Sequence, residues 1–110
     1  MIPKPLLEDI LEDPFYKKCI RNNEGTCKGR ITFEHAIIYA GKQVQEKWAI
    51  VPCCAFHHEV DEFQDNGDLN KELNQLAALK RATEEDFAKY PKRSWRKELY
   101  YLWNKHERTT

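Results

Sequence analysis

Residues 51–62 read Val-Pro-Cys-Cys-Ala-Phe-His-His-Glu-Val-Asp-Glu, a short stretch dense in metal-binding side chains. Cys54-x2-His57 has the spacing of a zinc ligand pair, and Cys19 and Cys27 upstream can complete a tetrahedral set. His58 follows at once. Successive residues on a helix point about 100° apart, so His57 and His58 are badly placed to hold one ion. The pair therefore predicts two jobs: one histidine on a structural zinc, the other at a separate site. Cys53 reads as a small buried apolar residue, or as a substitute for Cys54 if the upstream loop is shifted. The gap between Cys19 and Cys27 exceeds that of a usual zinc knuckle, so a turn at Gly25 must fold the loop back. Two disulfides are the alternative for four cysteines. With no leader and no long apolar segment in view, an oxidising compartment is not expected and metal is favoured.

These ligands need elements to hold them. Residues 30–35 predict a strand ending in Glu34-His35, and residues 36–47, with Gly41, a connecting loop. Residues 48–52 predict a second, apolar strand that Pro52 ends. A helix is expected from Ala55 to about Gln64, before the Asp65-Asn-Gly-Asp68 break. Upstream, Leu6, Leu7, Ile10 and Leu11 predict a short amphipathic helix closed at Asp13-Pro14, then a polar loop over 15–29. Downstream, a helix over 69–82 would be capped by Asp68, and a short one opened by a Thr83…Asp86 capping box. Ser94 would cap a last helix, with Trp95, Leu99, Leu102 and His106 on one face. The expected fold class is α+β in a single domain over 1–110. Its parts are a helix in 1–14, a core in 15–64 and a helical extension in 65–110.

Taken together, Cys19, Cys27, Glu34-His35 and Trp-Ala-Ile-Val-Pro-Cys-Cys-Ala-Phe-His-His58 resemble the zinc-stapled HNH endonucleases, chiefly the small phage-type members. The resemblance covers roughly residues 19–62. It implies a ββα-metal core with a structural zinc on Cys19, Cys27, Cys54 and His57, followed by C-terminal helices. It implies hydrolysis of DNA phosphodiesters, leaving 5′-phosphate and 3′-hydroxyl ends. His35 maps onto the general base, a role suited to a side chain that titrates near neutrality. Glu34 and His58 map onto the ligands of a catalytic Mg²⁺ or Mn²⁺, hard ions that favour oxygen donors. Glu62, one turn beyond His58, either joins them or is one more solvated carboxylate in an acidic segment. One position departs from the family pattern: Ala49 stands where an Asn is usual. That departure keeps open a non-catalytic, zinc-stapled nucleic-acid-binding module. A zinc-stabilised protein-interaction domain is a third reading, and it leaves Glu34 and His35 unexplained.

The chain has 110 residues, a third of them charged, and zero formal net charge, so no overall basicity points to nucleic acid. A core this small is often stapled, which suits zinc. The charge is unevenly spread: residues 14–30 and 89–110 are basic, and 59–72 acidic. Lys28, Arg30, Arg93, Arg96 and Lys97 are accordingly expected to meet DNA phosphates, against the plainer reading of solvated faces. Tyr90, Trp95, Tyr100, Tyr101 and Trp103 could stack on bases or belong to the core. No membrane partner is expected. A cytoplasmic setting in a bacterial or phage-infected cell is expected, and oligomeric state stays open.

Overall fold

The computed structural model describes residues 2–22, 25, 27–57 and 67–107. In chain order its elements are α1 (Lys4–Glu12), β1 (Ile31–His35), β2 (Ile38–Tyr39), β3 (Lys42–Gln43), β4 (Ile50–Cys54), α2 (Gly67–Arg81), α3 (Glu84–Ala88) and α4 (Trp95–His106). The architecture is α+β, with helices on both sides of a small antiparallel pair.

That pair is β1 with β4, in a register that sets Ile31 opposite Cys54, Phe33 opposite Pro52 and His35 opposite Ile50. Every residue of β4 is buried, so both faces of the strand must be covered. Strand alternation sends Ile50 to one side, where it packs with Ile10 of α1, Tyr16 and Phe33. Val51 goes to the other side, into a core with Trp48, Leu76 and Leu79 of α2, and Trp95 and Leu102 of α4. Tyr16 lies in the 3₁₀ turn Pro14–Lys17 and ties the first side together, its hydroxyl donating to the Ile50 carbonyl at 2.9 Å. Asp13 caps that turn by accepting the Phe15 N–H at 2.9 Å. It also meets Lys47 Nζ at 2.9 Å and Arg81 Nη2 at 3.6 Å. Those contacts hold the Asp13 carboxyl below its usual range, first through the Lys47 hydrogen bond.

On the second side an aromatic group does most of the filling. Trp48 meets Phe87, Tyr90 and Trp95 edge to face, and the Trp95 indole N–H donates to the Tyr90 carbonyl at 2.7 Å. The expected face of α4 packs inward: Trp95 and Leu102 are buried, and His106 Nε2 reaches Glu72 of α2 at 3.0 Å. The Thr83–Asp86 capping box forms in both directions. Ser94 precedes α4 but makes no side-chain cap bond.

Four local expectations are corrected. Pro52 does not end the pairing, because its missing N–H falls on the side turned away from β1. There its carbonyl accepts the Ile20 N–H at 3.1 Å, and the strand runs on to Cys54. Trp48 is not in a strand but in the 3₁₀ turn Lys47–Ala49, which drops its ring into the aromatic group. The segment between the long strands is no plain loop: β2 and β3 form a hairpin across Ala40 (φ 53°) and Gly41 (φ 79°). Two positive φ values are what a tight two-residue hairpin turn demands, and Ala in the first place hid it from sequence reasoning. Finally, α2 starts at Gly67, so Asp68 lies within its first turn rather than before it. The helix expected after Cys54 is described only at its start, Ala55 to His57, and its remainder lies outside the described residues. No described helix is long and apolar enough to cross a membrane.

Candidate metal centre

The end of β4 carries Cys54. The chain then turns into a helical start, whose His57 N–H points back at the Cys54 sulfur at 3.5 Å. His57 Nδ1 stands 3.2 Å from Cys54 Sγ, 3.5 Å from Cys19 Sγ and 3.6 Å from Cys27 Sγ. All four donor atoms lie within 4.8 Å of one another. A tetrahedral zinc with ordinary bond lengths would separate sulfur from nitrogen by about 3.6 Å and sulfur from sulfur by about 3.8 Å. The four residues therefore fit a metal such as zinc in donor type, number and spacing. Cys19, Cys54 and His57 are buried, and Cys27 is the most exposed of the four.

Each ligand is held by backbone bonds. Cys19 opens a tight turn in which its carbonyl accepts the Asn22 N–H at 3.0 Å, while the Arg21 N–H donates to its sulfur at 3.4 Å. Ile20 fastens this turn to β4 through the Pro52 carbonyl. Cys27 is brought in by a backbone ladder that continues past β1: Phe56 N–H donates to the Lys28 carbonyl at 3.0 Å and Ala55 N–H to the Arg30 carbonyl at 3.1 Å. Between them Gly29 takes φ +86°, where a Cβ would lie 2.7 Å from Ala55 Cβ.

The electrostatics of the four side chains favour a cation among the sulfurs. Hydrogen bonds, first from the Cys53 thiol and also from the N–H groups of Arg21 and Cys54, pull the Cys19 thiol down to about 4. Desolvation, followed by the negative charge on Cys19, pushes Cys27 up to about 12. A dication among the sulfurs would reverse that repulsion and hold them all as thiolates. Cys53 lies outside the four. It is fully buried, and its thiol is pushed up by its bond to Cys19 and by burial, which marks it as the donor in that contact.

The other predicted site residues are spread more widely. Glu34 and His35 end β1, where strand alternation sends their side chains to opposite faces. Glu34 Oε1 accepts from Thr32 Oγ1 at 3.0 Å. His35 Nε2 meets Gln45 Oε1 at 2.9 Å. His58 and Glu62 lie outside the described residues. Ala49 is completely buried and offers only its carbonyl, which accepts the Ala36 N–H at 2.8 Å just beyond His35. Lys28 and Arg30 are exposed beside the Cys27 loop. Arg93 is engaged within the fold, bonded to Glu98 and the Ile38 carbonyl with its guanidinium 4.3 Å above the Trp95 ring. Arg96 pairs with Glu84 on the surface, and Lys97 is exposed next to it. Tyr100, Tyr101 and Trp103 are all exposed, whereas Tyr90 and Trp95 belong to the core.

Two residues that matter here were not singled out from the sequence. Gly29 could have been found from its place two residues after a ligand cysteine. Gln45 carries no local signal at all. No family model matches the chain, and neither the curated proteins nor the solved structures hold a match to it.

Proposed function

We propose that this chain is a zinc-stapled, metal-dependent DNA endonuclease of HNH type. One observation carries the reading. A single antiparallel pair bears the Cys3His group at one end, through Cys54 opposite Ile31, and Glu34-His35 at the other, with His35 opposite Ile50. Four strand steps separate those ends, about 13 Å. A zinc held by the Cys3His group is thus too far from His35 to act on the same phosphate. Its role is to staple the strand pair, and the chemistry belongs at the His35 end.

His35 is the last residue of β1, so a phosphodiester lying across the strand end can be reached from both faces. On one side His35 takes a proton from the attacking water. On the other, Glu34 is an oxygen donor for a Mg²⁺ or Mn²⁺ ion, with His58 and Glu62 as the further ligands this reading assigns. Such an ion supplies charge neutralisation at the phosphate and leaving oxygen. Exposed Lys28 and Arg30 would meet the DNA backbone beside the zinc staple, with Lys97 and Arg96 as contacts from α4.

A second reading has one observation in its favour. Ala49, buried and without a polar side chain, cannot do what the usual Asn does, which fits a zinc-stapled nucleic-acid-binding module without catalysis. A plasmid-nicking assay in Mg²⁺ and Mn²⁺ separates the two. The nuclease reading expects nicking by the wild type and a loss of roughly a hundredfold or more in His35→Ala, with zinc content and melting temperature kept. Absence of nicking by the wild type with every divalent ion, alongside retained DNA binding, would establish the binding module instead.

A further inference from the structure

We infer that Gln45 is the positioning residue for His35: it fixes the imidazole ring and holds the proton on Nε2, leaving Nδ1 as the proton acceptor. For its catalytic consequence this rests on the nuclease reading above; the contact itself does not.

The geometry starts from the side-chain bond that reaches the ring among the described residues. His35 Nε2 and Gln45 Oε1 are 2.9 Å apart, ten residues distant in sequence. An amide oxygen only accepts, so the ring nitrogen facing it must carry the proton. A neutral imidazole has one N–H and one lone pair, and the lone pair then resides on Nδ1.

An exposed glutamine would ordinarily be too mobile to orient anything, since ordering its long side chain costs rotamer entropy. Gln45 is different because both its neighbours are clamped. Val44 is buried in the main core, and its N–H donates to the Ile37 carbonyl at 3.0 Å. Glu46 accepts from the Tyr90 hydroxyl and from Lys89 Nζ, while its carbonyl takes the Ala49 N–H at 2.9 Å. The β2–β3 hairpin closes the loop between Ile37 and Val44. The backbone at Gln45 is thus fixed on both sides, directly over the end of β1.

The same arrangement explains how the chain can do without a polar side chain at position 49. Ala49 closes the backbone after His35 through the Ala36 N–H and fills the core. The polar contact to the ring comes instead from four residues earlier, on the other side of the Lys47–Ala49 turn. Gln also differs from a carboxylate in this place: it fixes the ring without adding a negative charge beside it.

The test uses the full zinc-loaded chain with isotope-labelled histidine, at about pH 8, with His35→Ala identifying the His35 signals. The readout is the imidazole N–H proton, which survives exchange with water only when it is hydrogen-bonded. The wild type is expected to show a protected proton on His35 Nε2. Gln45→Leu should lose it, and Gln45→Glu, which keeps the acceptor oxygen, should retain it. Nicking should fall about 10- to 100-fold in Gln45→Leu and recover in Gln45→Glu, with zinc content and melting temperature unchanged. If Gln45→Leu fails to fold, Gln45→Asn, one methylene too short to reach, takes its place. A protected proton on Nδ1, or one that persists in Gln45→Leu, would overturn the inference. So would wild-type nicking by a folded Gln45→Leu. A wild type that shows the protected Nε2 proton but never nicks DNA would uphold the contact and defeat the nuclease reading alone.

Discussion

Gly29 and Ala55 touch so closely that a methyl group on the first would stand 2.7 Å from the methyl of the second. This contact is what lets the Cys27 loop lie flat against the start of the helix carrying His57. Gly29→Ala should therefore meet two penalties, a positive φ of +86° and a steric clash. The cost expected from the backbone alone is about 1–3 kcal/mol. Gly25→Ala is the control, since Gly25 has φ +75° but nothing within 4 Å of a Cβ. Urea melts should place Gly29→Ala well below Gly25→Ala, and metal analysis should show that only the former loses zinc. Equal losses would mean that the close approach is not what seats Cys27.

The purified chain is expected to hold one zinc. Structural zinc sites supply about 10–16 kcal/mol of apparent binding energy that also drives folding. Chelation, or Cys54→Ser, should therefore abolish the cooperative thermal transition. Cys53→Ser keeps a donor toward Cys19 and should retain both zinc and fold. Elemental analysis with circular-dichroism melts checks this. Equal damage from the two serine variants would move Cys53 into the ligand set.

Placing Asn at position 49, as in the HNH proteins that the sequence resembles, should not help. Ala49 is completely buried, so Ala49→Asn places an amide in the core. An unsatisfied buried polar group costs about 1–3 kcal/mol. The variant should be less stable by that amount and should nick plasmid no faster than the wild type. A gain in nicking would show that position 49 reaches the His35 end after all.

Stability should decline at high pH through Tyr90. Burial, and then its hydrogen bond to Glu46, push the Tyr90 phenol up to about 12. An unfolded phenol titrates near 10, so between about pH 10 and 12 the folded chain keeps a proton that the unfolded chain has lost. This contribution is fully present below pH about 10 and disappears as the pH rises to about 12. Tyr90→Phe should be less stable at neutral pH by about 1 kcal/mol and should fall less steeply over that alkaline window. Denaturant melts across the window, with ultraviolet titration of the phenols, provide the measurement.

What the sequence determined by itself was local. Cys54-x2-His57 can serve as a ligand pair because three residues suffice to bring those side chains to one point. The Thr83–Asp86 box closes within one turn, and the inward face of α4 follows from helical spacing, so neighbours alone decide both. Tertiary structure decided whatever depends on which distant segments meet. Cys27 joins Cys54 across 26 intervening residues only because the backbone ladder passes β1 and Gly29 admits Ala55. Trp48 leaves the expected strand because the aromatic group from α3 and α4 offers its ring a better burial than a strand would. Gln45 reaches His35 because a hairpin turned at Ala40-Gly41 brings the chain back over β1. Spacing along a chain carries the first kind of information. The second is set by long-range packing, in which each partner's position depends on all the others.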